Sequence, residues 1–200
     1  MKRIISLQFA VTVIIALTTF LSITSCQKEA RNQTATSAEF KNESAIGGNA
    51  TFQDQLAQVR LATARFHDVN AAIEAGYELG WVNGSGQRII TNCVAHPTDG
   101  AMGYHYFNAS LMDDLAVDVL QPEALVYEPK ADGTLKLVAV EWVARGPNSN
   151  PAGLSEPPSV LGMDMHILVP AVGFYIMHAW IWKPNPAGMF ADWNPNVSCF

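Results

Sequence analysis

The chain has 200 residues, of which 49% are hydrophobic and 15% are charged, and its formal net charge at pH 7 is −6. This length is typical of one domain, and the low charged fraction excludes a disordered acidic chain and a coiled coil. Twelve basic residues against 18 acidic ones argue against a nucleic acid partner, because phosphate binding needs a basic face.

The N-terminal residues 1–25 have the layout of a secretory signal peptide. Lys2 and Arg3 form a positive n-region, and a nearly uncharged apolar stretch follows. Residues 23–26 (Ile-Thr-Ser-Cys) resemble a bacterial lipobox, in which the cysteine, here Cys26, is lipidated and becomes the first residue of the mature chain. The alternative is a transmembrane anchor, since the apolar stretch is nearly long enough to span a bilayer. The polar run directly after Cys26 favours the lipoprotein.

This signal predicts the location of the protein. We expect an exported chain whose partner is the lipid bilayer, held through acyl chains on Cys26, at the outer membrane or the periplasmic face if the host is Gram-negative. Residues 26–50 are polar, with Phe40 and Ile46 as their only large apolar side chains, so a flexible tether is predicted there. The single globular domain is then expected over residues 51–200.

In chain order, the domain is predicted to begin with helices. Thr51 can cap a helix over residues 51–66, and Asp68 can cap a second one over residues 69–75. Strands are then predicted over residues 88–94, 102–108, 124–128, 135–143, 165–169 and 174–182. An Asp-Gly step within residues 129–133 predicts a hairpin. Helices followed by closely spaced strands predict an α+β fold, with the N-terminal helices packed on a mostly antiparallel, strongly curved sheet or partial barrel.

The cysteines other than Cys26 are Cys93 and Cys199. An exported domain meets an oxidising environment, which favours a disulfide between them. Two separate buried thiols and two thiolate metal ligands are the alternatives. The metal alternative lacks the C-x-x-C spacing that is typical of such sites.

Four histidines are candidate metal ligands. His105, His166 and His178 lie in predicted strands beside large apolar residues, and His96 lies in a predicted loop. Because side chains alternate between the two faces of a strand, the three strand histidines would converge if their faces line one concave sheet. His96 would then close the pocket. Neutral imidazoles in an apolar pocket suit zinc or copper.

Aromatic residues near these histidines predict a second kind of site. Trp180 and Trp182 share a predicted strand face with His178, and Tyr104 is the neighbour of His105. One interpretation is an aromatic-lined cleft for a small apolar or planar ligand, with Trp180, Trp182 and Tyr104 as contacts. The other interpretation is a buried aromatic core.

Two methionines and one glutamate near the histidines help to decide between a copper site and a hydrolytic zinc site. Met165 and Met177 are predicted to point away from His166 and His178, which argues against a mixed histidine and methionine copper site. A zinc ion with an open position would permit hydrolysis through a bound water, with Glu141 as its base. No spacing matches a known metal motif such as H-E-x-x-H, and histidines in strands also occur as hydrogen-bonded core residues.

Three segments resemble a family of small exported bacterial proteins of unassigned function: residues 102–108 (MGYHYFN), 122–128 (PEALVYE) and 178–199 (HAWIWKPNPAGMFADWNPNVSC). The likeness covers most of residues 60–200 and is most specific in the tail. It implies a single exported domain. It implies no activity and no catalytic residues.

Three functions stay open on the sequence. The first is a cell-envelope lipoprotein that binds a metal ion or small ligand in a pocket of histidine and aromatic side chains. The second is an envelope metallo-hydrolase that uses the same histidines. The third is a non-catalytic structural or interaction lipoprotein whose histidines and tryptophans belong to the core. The chain contains no G-x-S-x-G, Walker A or G-x-G-x-x-G motif that would point to another chemistry.

Overall fold

The computed structural model describes residues 51–167 and 172–200. The predicted signal peptide over residues 1–25, the predicted lipid on Cys26 and the predicted tether over residues 26–50 lie outside the described residues. Within the described part, no helix combines the length and the apolar character that crossing a membrane requires.

The helices begin at the caps that the sequence predicts. They are, with one 3₁₀ turn, α1 (Phe52–Thr63), the turn Ala64–His67, α2 (Val69–Glu74) and α3 (Ala109–Asp114). The backbone N–H of Asp54 donates to the Thr51 hydroxyl at 3.2 Å, and the Asp54 carboxylate accepts from the Thr51 N–H at 3.0 Å. This reciprocal capping box stabilises the start of α1. The Asp68 carboxylate caps α2 by accepting from the Asn70 N–H at 2.9 Å. Both predicted N-terminal helices are therefore confirmed.

The strands in the described ranges follow in chain order. They are β1 (Tyr77–Leu79), β2 (Trp81–Val82), β3 (Arg88–Ile89), β4 (Val94–His96), β5 (Gly100–Asn108), β6 (Ala124–Pro129), β7 (Leu135–Arg145), β8 (Ser159–Val160), β9 (Met163–Asp164), β10 (His166–Ile167) and β11 (Phe174–Ala179). Seven form one antiparallel sheet in the order β1-β5-β6-β7-β11-β10, with β4 paired to β5. Strands β2–β3 and β8–β9 form two-stranded ribbons. The α+β class and the antiparallel pairing are as predicted.

The expected shape of the sheet is corrected by the structure. Among the described strands, no sheet is closed or strongly curled, so the prediction of a strongly curved sheet or partial barrel is wrong. The path of the sheet ends in β1, of three residues, and in β10, of two residues. A barrel requires its first and last strands to pair along their length, and such short edge strands end a sheet instead.

The central strands bury both of their faces. The face that we call the helix face carries Leu125, Tyr127 and Trp142, and it packs against Leu56 and Val59 of α1. The opposite face, called the cavity face below, carries apolar residues of β5, β6, β7 and β11. These are Phe107, Ala124, Val126, Ala139, Val143, Phe174 and Ile176. Met165 and Met177 belong to the core of the helix face, as their predicted orientation requires.

The cavity face is covered by the β2–β3 ribbon and by the C-terminal segment. Trp81 of the ribbon packs on Phe174 with ring centroids 4.9 Å apart. The C-terminal segment is held by two backbone hydrogen bonds of 3.1 Å between Ala101 and Asn194. A disulfide joins Cys93 to Cys199, with Cα atoms 5.7 Å apart. The predicted disulfide is thus confirmed, and the alternatives of free thiols and thiolate ligands do not hold.

Candidate metal centre

Two histidines and one glutamate meet on the cavity face. His178 of β11 is the direct cross-strand partner of Glu141 of β7. His105 of β5 is separated from β7 by β6, and it reaches Glu141 diagonally. On β6, Ala124 lies opposite Glu141 and Val126 lies opposite His105. The small side chain of Ala124 leaves room for this diagonal approach, which is within the reach of long side chains on a sheet.

The distances within the cluster suit a metal ion. His178 Nδ1 lies 3.3 Å from Glu141 Oε1, and His105 Nε2 lies 3.5 Å from Glu141 Oε2. One ligand atom from each of the three side chains lies within 4.8 Å of the others. Zinc holds nitrogen and oxygen ligands at about 2.0–2.1 Å, so tetrahedral ligands around it lie about 3.3–3.4 Å apart. The two separations, each to a different oxygen of Glu141, are close to that spacing, and the ligand atoms of the two imidazoles lie within 4.8 Å of each other.

The imidazole nitrogens of the cluster lack hydrogen-bond partners. Among the described residues, nothing bonds to either ring nitrogen of His178 or to Nδ1 of His105, although all three atoms are buried. A buried polar atom left without a partner costs about 1–3 kcal/mol, and the large majority of such atoms are paired. A cation bound beside Glu141 would take one nitrogen of each imidazole, so it would account for His178 Nδ1 and would leave His178 Nε2 and His105 Nδ1 unpaired.

Burial shifts the pKa of each group toward its neutral form. It lowers the pKa of His105 to about 4, an effect that is partly offset by the nearby Gly103 backbone, which does not reach hydrogen-bond geometry at Nδ1. It lowers the pKa of His178 well below its usual value, and the neighbouring His105 adds to this shift. Burial also raises the pKa of Glu141 well above its usual value, with the charge of Asp192 adding to it. Neutral imidazole is the form that binds metal ions, and a metal ion here would compete with the proton of Glu141.

The structure places His166 and His96 away from this cluster. His166 is exposed on the edge strand β10, and its Nε2 lies 3.0 Å from Asp192 Oδ1. His96 is exposed on β4, and its Nδ1 lies 3.1 Å from Asp99 Oδ2. The cluster thus contains two of the four histidines predicted as ligands, and Glu141 is its third member. His166 and His96 lie on edge strands, and their imidazoles are therefore in solvent, each beside a carboxylate. This position explains why they do not join the buried cluster.

Of the three aromatic residues predicted as ligand contacts, Trp180 lies beside the cluster. Its ring stacks on that of His178, with centroids 5.7 Å apart and planes 16° apart. Trp182 follows the end of β11 and packs on the core of the helix face. Tyr104 precedes His105 by one residue, so strand alternation places it on the helix face.

A cavity of about 240 Å³ adjoins the cluster. Ten residues line it, and the polar ones among them are His105 and Glu141. Phe107, Phe174 and Ile176 of the sheet form part of its apolar wall. Two of the three cluster residues therefore face an apolar space.

Glu141 is the member of the cluster to which sequence reasoning assigned a different role. From the sequence, Glu141 is predicted only as the base of a hydrolase. The available signal was a lone carboxylate inside an otherwise apolar strand, Val-Ala-Val-Glu-Trp-Val over residues 138–143. A carboxylate in such a run is almost never buried without a partner.

Comparison of the chain with family models, with curated proteins and with solved structures finds no match. The resemblance to small exported bacterial proteins stays an expectation.

Proposed function

We propose that this protein is a cell-envelope lipoprotein that binds a zinc ion through His105, Glu141 and His178. One observation carries the proposal: two buried imidazoles, with ring nitrogens that lack hydrogen bonds within the described structure, lie 3.3 and 3.5 Å from one buried carboxyl group. The envelope location and the lipid anchor are part of the proposal, and the signal pattern that ends at Cys26 supports them.

The donor set favours zinc over copper. Zinc sites outside purely structural centres commonly use three histidine or carboxylate ligands and keep a fourth position open. Copper(I) prefers thiolate and thioether ligands, and Met165 and Met177 belong to the core of the opposite face. Met102 lines the adjoining cavity, so copper is the competing metal that the experiment has to include.

The position of Glu141 supports a binding role over a hydrolytic one. A base acts on a metal-bound water, whereas this carboxyl group lies at the spacing of a fellow ligand from both His105 and His178. The unpaired nitrogens also argue against a purely structural role, because core histidines are ordinarily hydrogen-bonded.

The test is metal analysis of the full chain, purified without an affinity histidine tag and without chelator. We expect close to one zinc ion per chain after incubation with zinc and dialysis, and a preference for zinc when zinc and copper compete. The variants His178→Ala and Glu141→Gln should bind zinc roughly 100-fold more weakly, since each removes a ligand. His67→Ala is the matched control, because His67 is an exposed histidine outside the cluster.

Binding in the wild type that is far below one ion per chain would overturn the proposal. Retention of full affinity in both cluster variants would do the same. The variants His166→Gln and His96→Gln test separately whether either exposed histidine is a further ligand of the zinc ion. The structure predicts unchanged zinc affinity for both, because each imidazole has its own carboxylate partner outside the cluster.

A further inference from the structure

We infer that the cavity beside the metal centre binds a small, neutral, largely apolar molecule that contacts the metal ion through one nitrogen or oxygen atom. The metal contact rests on the proposed function. The cavity itself does not, because eight of its ten lining residues lie outside the cluster.

The lining of the cavity defines the class of molecule. Eight of its ten lining residues are apolar, and they include Phe107 and Val143 of the sheet and Ile90 and Val172 of the covering loops. No lysine or arginine is among the described lining residues. Ligand sites are typically apolar with a few convergent polar groups that fix orientation, and an anion would find no cationic side chain here and could pair its charge only with the metal ion.

The volume sets the size of the molecule. A cavity of roughly 150 Å³ with apolar walls stays dry and accepts benzene. The present cavity of about 240 Å³ therefore has room for a monocyclic ring with a small substituent.

The polar wall of the cavity coincides with the metal centre. His105 and Glu141 border the space, whereas His178 is fully buried behind them and is not among the described lining residues. A metal ion held by these three side chains would keep its open coordination position toward the cavity, since the other directions are filled by protein. A molecule in the cavity would then place its donor atom at that position.

The cavity is bounded by constrained elements. Ile90 has a φ of 57°, a conformation that is a genuine outlier for a β-branched residue. Such strain is found at ligand sites more often than elsewhere. Val94 follows Cys93, whose disulfide to Cys199 holds the covering segments together. Preformed walls reduce the ordering cost of binding.

Toluene is the probe for the cavity alone, added to the full chain in its metal-free form and observed by NMR. We expect saturable binding, and we expect Val172→Phe to weaken it at least tenfold by filling the space. Val94→Phe is the second filling variant, should the first fail to fold. Leu61→Phe, on the exposed surface of α1, is the matched control and should bind toluene as the wild type does.

Imidazole and 4-phenylimidazole are the probes for the metal contact, because they share a donor atom and differ in apolar bulk. On the zinc-loaded chain, we expect 4-phenylimidazole to bind at least tenfold more tightly than imidazole. In Val172→Phe, the ratio of the affinities for 4-phenylimidazole and imidazole should fall toward one, while the affinity for zinc stays unchanged.

The outcomes separate the two proposals. Zinc binding without saturable toluene binding, or with equal affinities for the two imidazoles, overturns the cavity inference and leaves the proposed function intact. Toluene binding without zinc binding overturns the proposed function and the metal contact, and supports an apolar ligand site alone.

Discussion

On the helix face, the buried hydroxyl of Tyr127 donates to the Phe66 carbonyl oxygen at 2.7 Å, and that of Tyr77 donates to another backbone carbonyl at 2.8 Å. On the cavity face, both ring nitrogens of His178 and Nδ1 of His105 are buried with no hydrogen bond in the described structure. These unpaired imidazole nitrogens contrast with the paired tyrosine hydroxyls. Neither face is uniform, since Trp182 Nε1 on the helix face has no partner in the described structure and Trp180 Nε1 on the cavity face donates to the Ala191 carbonyl oxygen at 2.6 Å.

The two faces also differ in how completely they are filled. Leu56, Leu125 and Trp142 are fully buried in the core of the helix face. The cavity face contains a space of about 240 Å³ beside Ile176 and Phe174. Protein interiors are close-packed, so an apolar space of this size marks a departure that stability measurements can detect. The predictions below test this contrast between the faces.

The largest expected change in the free energy of unfolding comes from removing the disulfide that holds the segments covering the cavity face. The double variant Cys93→Ser/Cys199→Ser removes a disulfide between residues 106 positions apart. On the chain-entropy model, a loop of that length contributes about 4–5 kcal/mol to the free energy of unfolding. Guanidinium unfolding should show this loss, and the reduced wild type should match the variant. If the free energy of unfolding of the variant equals that of the oxidised wild type within experimental error, the disulfide does not stabilise the segments that cover the cavity face.

Truncation of one side chain on each face tests the difference in filling. Leu125→Ala on the helix face should lower the free energy of unfolding by about 3–4 kcal/mol, as is usual for a fully buried leucine. Ile176→Ala on the cavity face should cost roughly 1 kcal/mol less, because a side chain that borders a void has fewer neighbours to lose. Urea unfolding of the metal-free proteins measures both. A larger cost for Ile176→Ala would mean that the cavity is filled.

The two buried carboxyl groups offer a pH test. Glu141 lies in the cluster, whereas Glu123 accepts a hydrogen bond from the Val143 N–H at 2.9 Å. Burial raises the pKa of Glu123 to about 8, against 4.5 for an ordinary glutamate. The folded state therefore holds this proton more tightly, so its contribution to stability is full below pH 4.5 and is lost as the pH rises through 8.

Glu123→Gln should remove this pH-dependent loss while keeping an acceptor for the Val143 N–H. Between pH 5 and pH 8, we expect the variant to lose roughly 3–4 kcal/mol less stability than the wild type. Thermal or urea unfolding across that range measures the difference. Parallel pH profiles for the two proteins would show that Glu123 is ionised in the folded state.

Two substitutions with small expected effects on stability compare the hydrogen bonding of the two faces most directly. Tyr127→Phe should lower the free energy of unfolding by about 1 kcal/mol, because it leaves the Phe66 carbonyl oxygen unpaired. His178→Met in the metal-free chain should cost nothing or stabilise the protein by about 1 kcal/mol, since it replaces unpaired polar atoms by an apolar side chain. A clear loss of stability in His178→Met would instead favour the reading of this histidine as an ordinary core residue.

Much of the local structure was readable from the sequence. Thr51 and Asp68 marked the starts of the first two helices, and the predicted export, together with two further cysteines, favoured the disulfide. Strand alternation correctly put His178 and Trp180 on a shared face. Each of these features depends on a few neighbouring residues or on simple counting, so a single sequence contains the information.

Other expectations failed where they required the ends of strands and sheets. The strand predicted over residues 174–182 ends at Ala179, and this removed Trp182 from the face of His178. The predicted curved sheet or barrel did not form, because β1 and β10 are too short to meet. Alternation specifies which residues share a face. It does not specify how far a strand extends or whether a sheet closes.

The sequence by itself determined which side chains share a face of each strand, where the first helices begin and which cysteines were available to pair. Only the tertiary structure decided that Glu141 completes the cluster and that His166 does not belong to it. The strand order β5-β6-β7-β11 brings His105, Glu141 and His178 together from positions more than 30 residues apart. That order results from long-range packing and register, whereas the period of a strand is a property of adjacent residues.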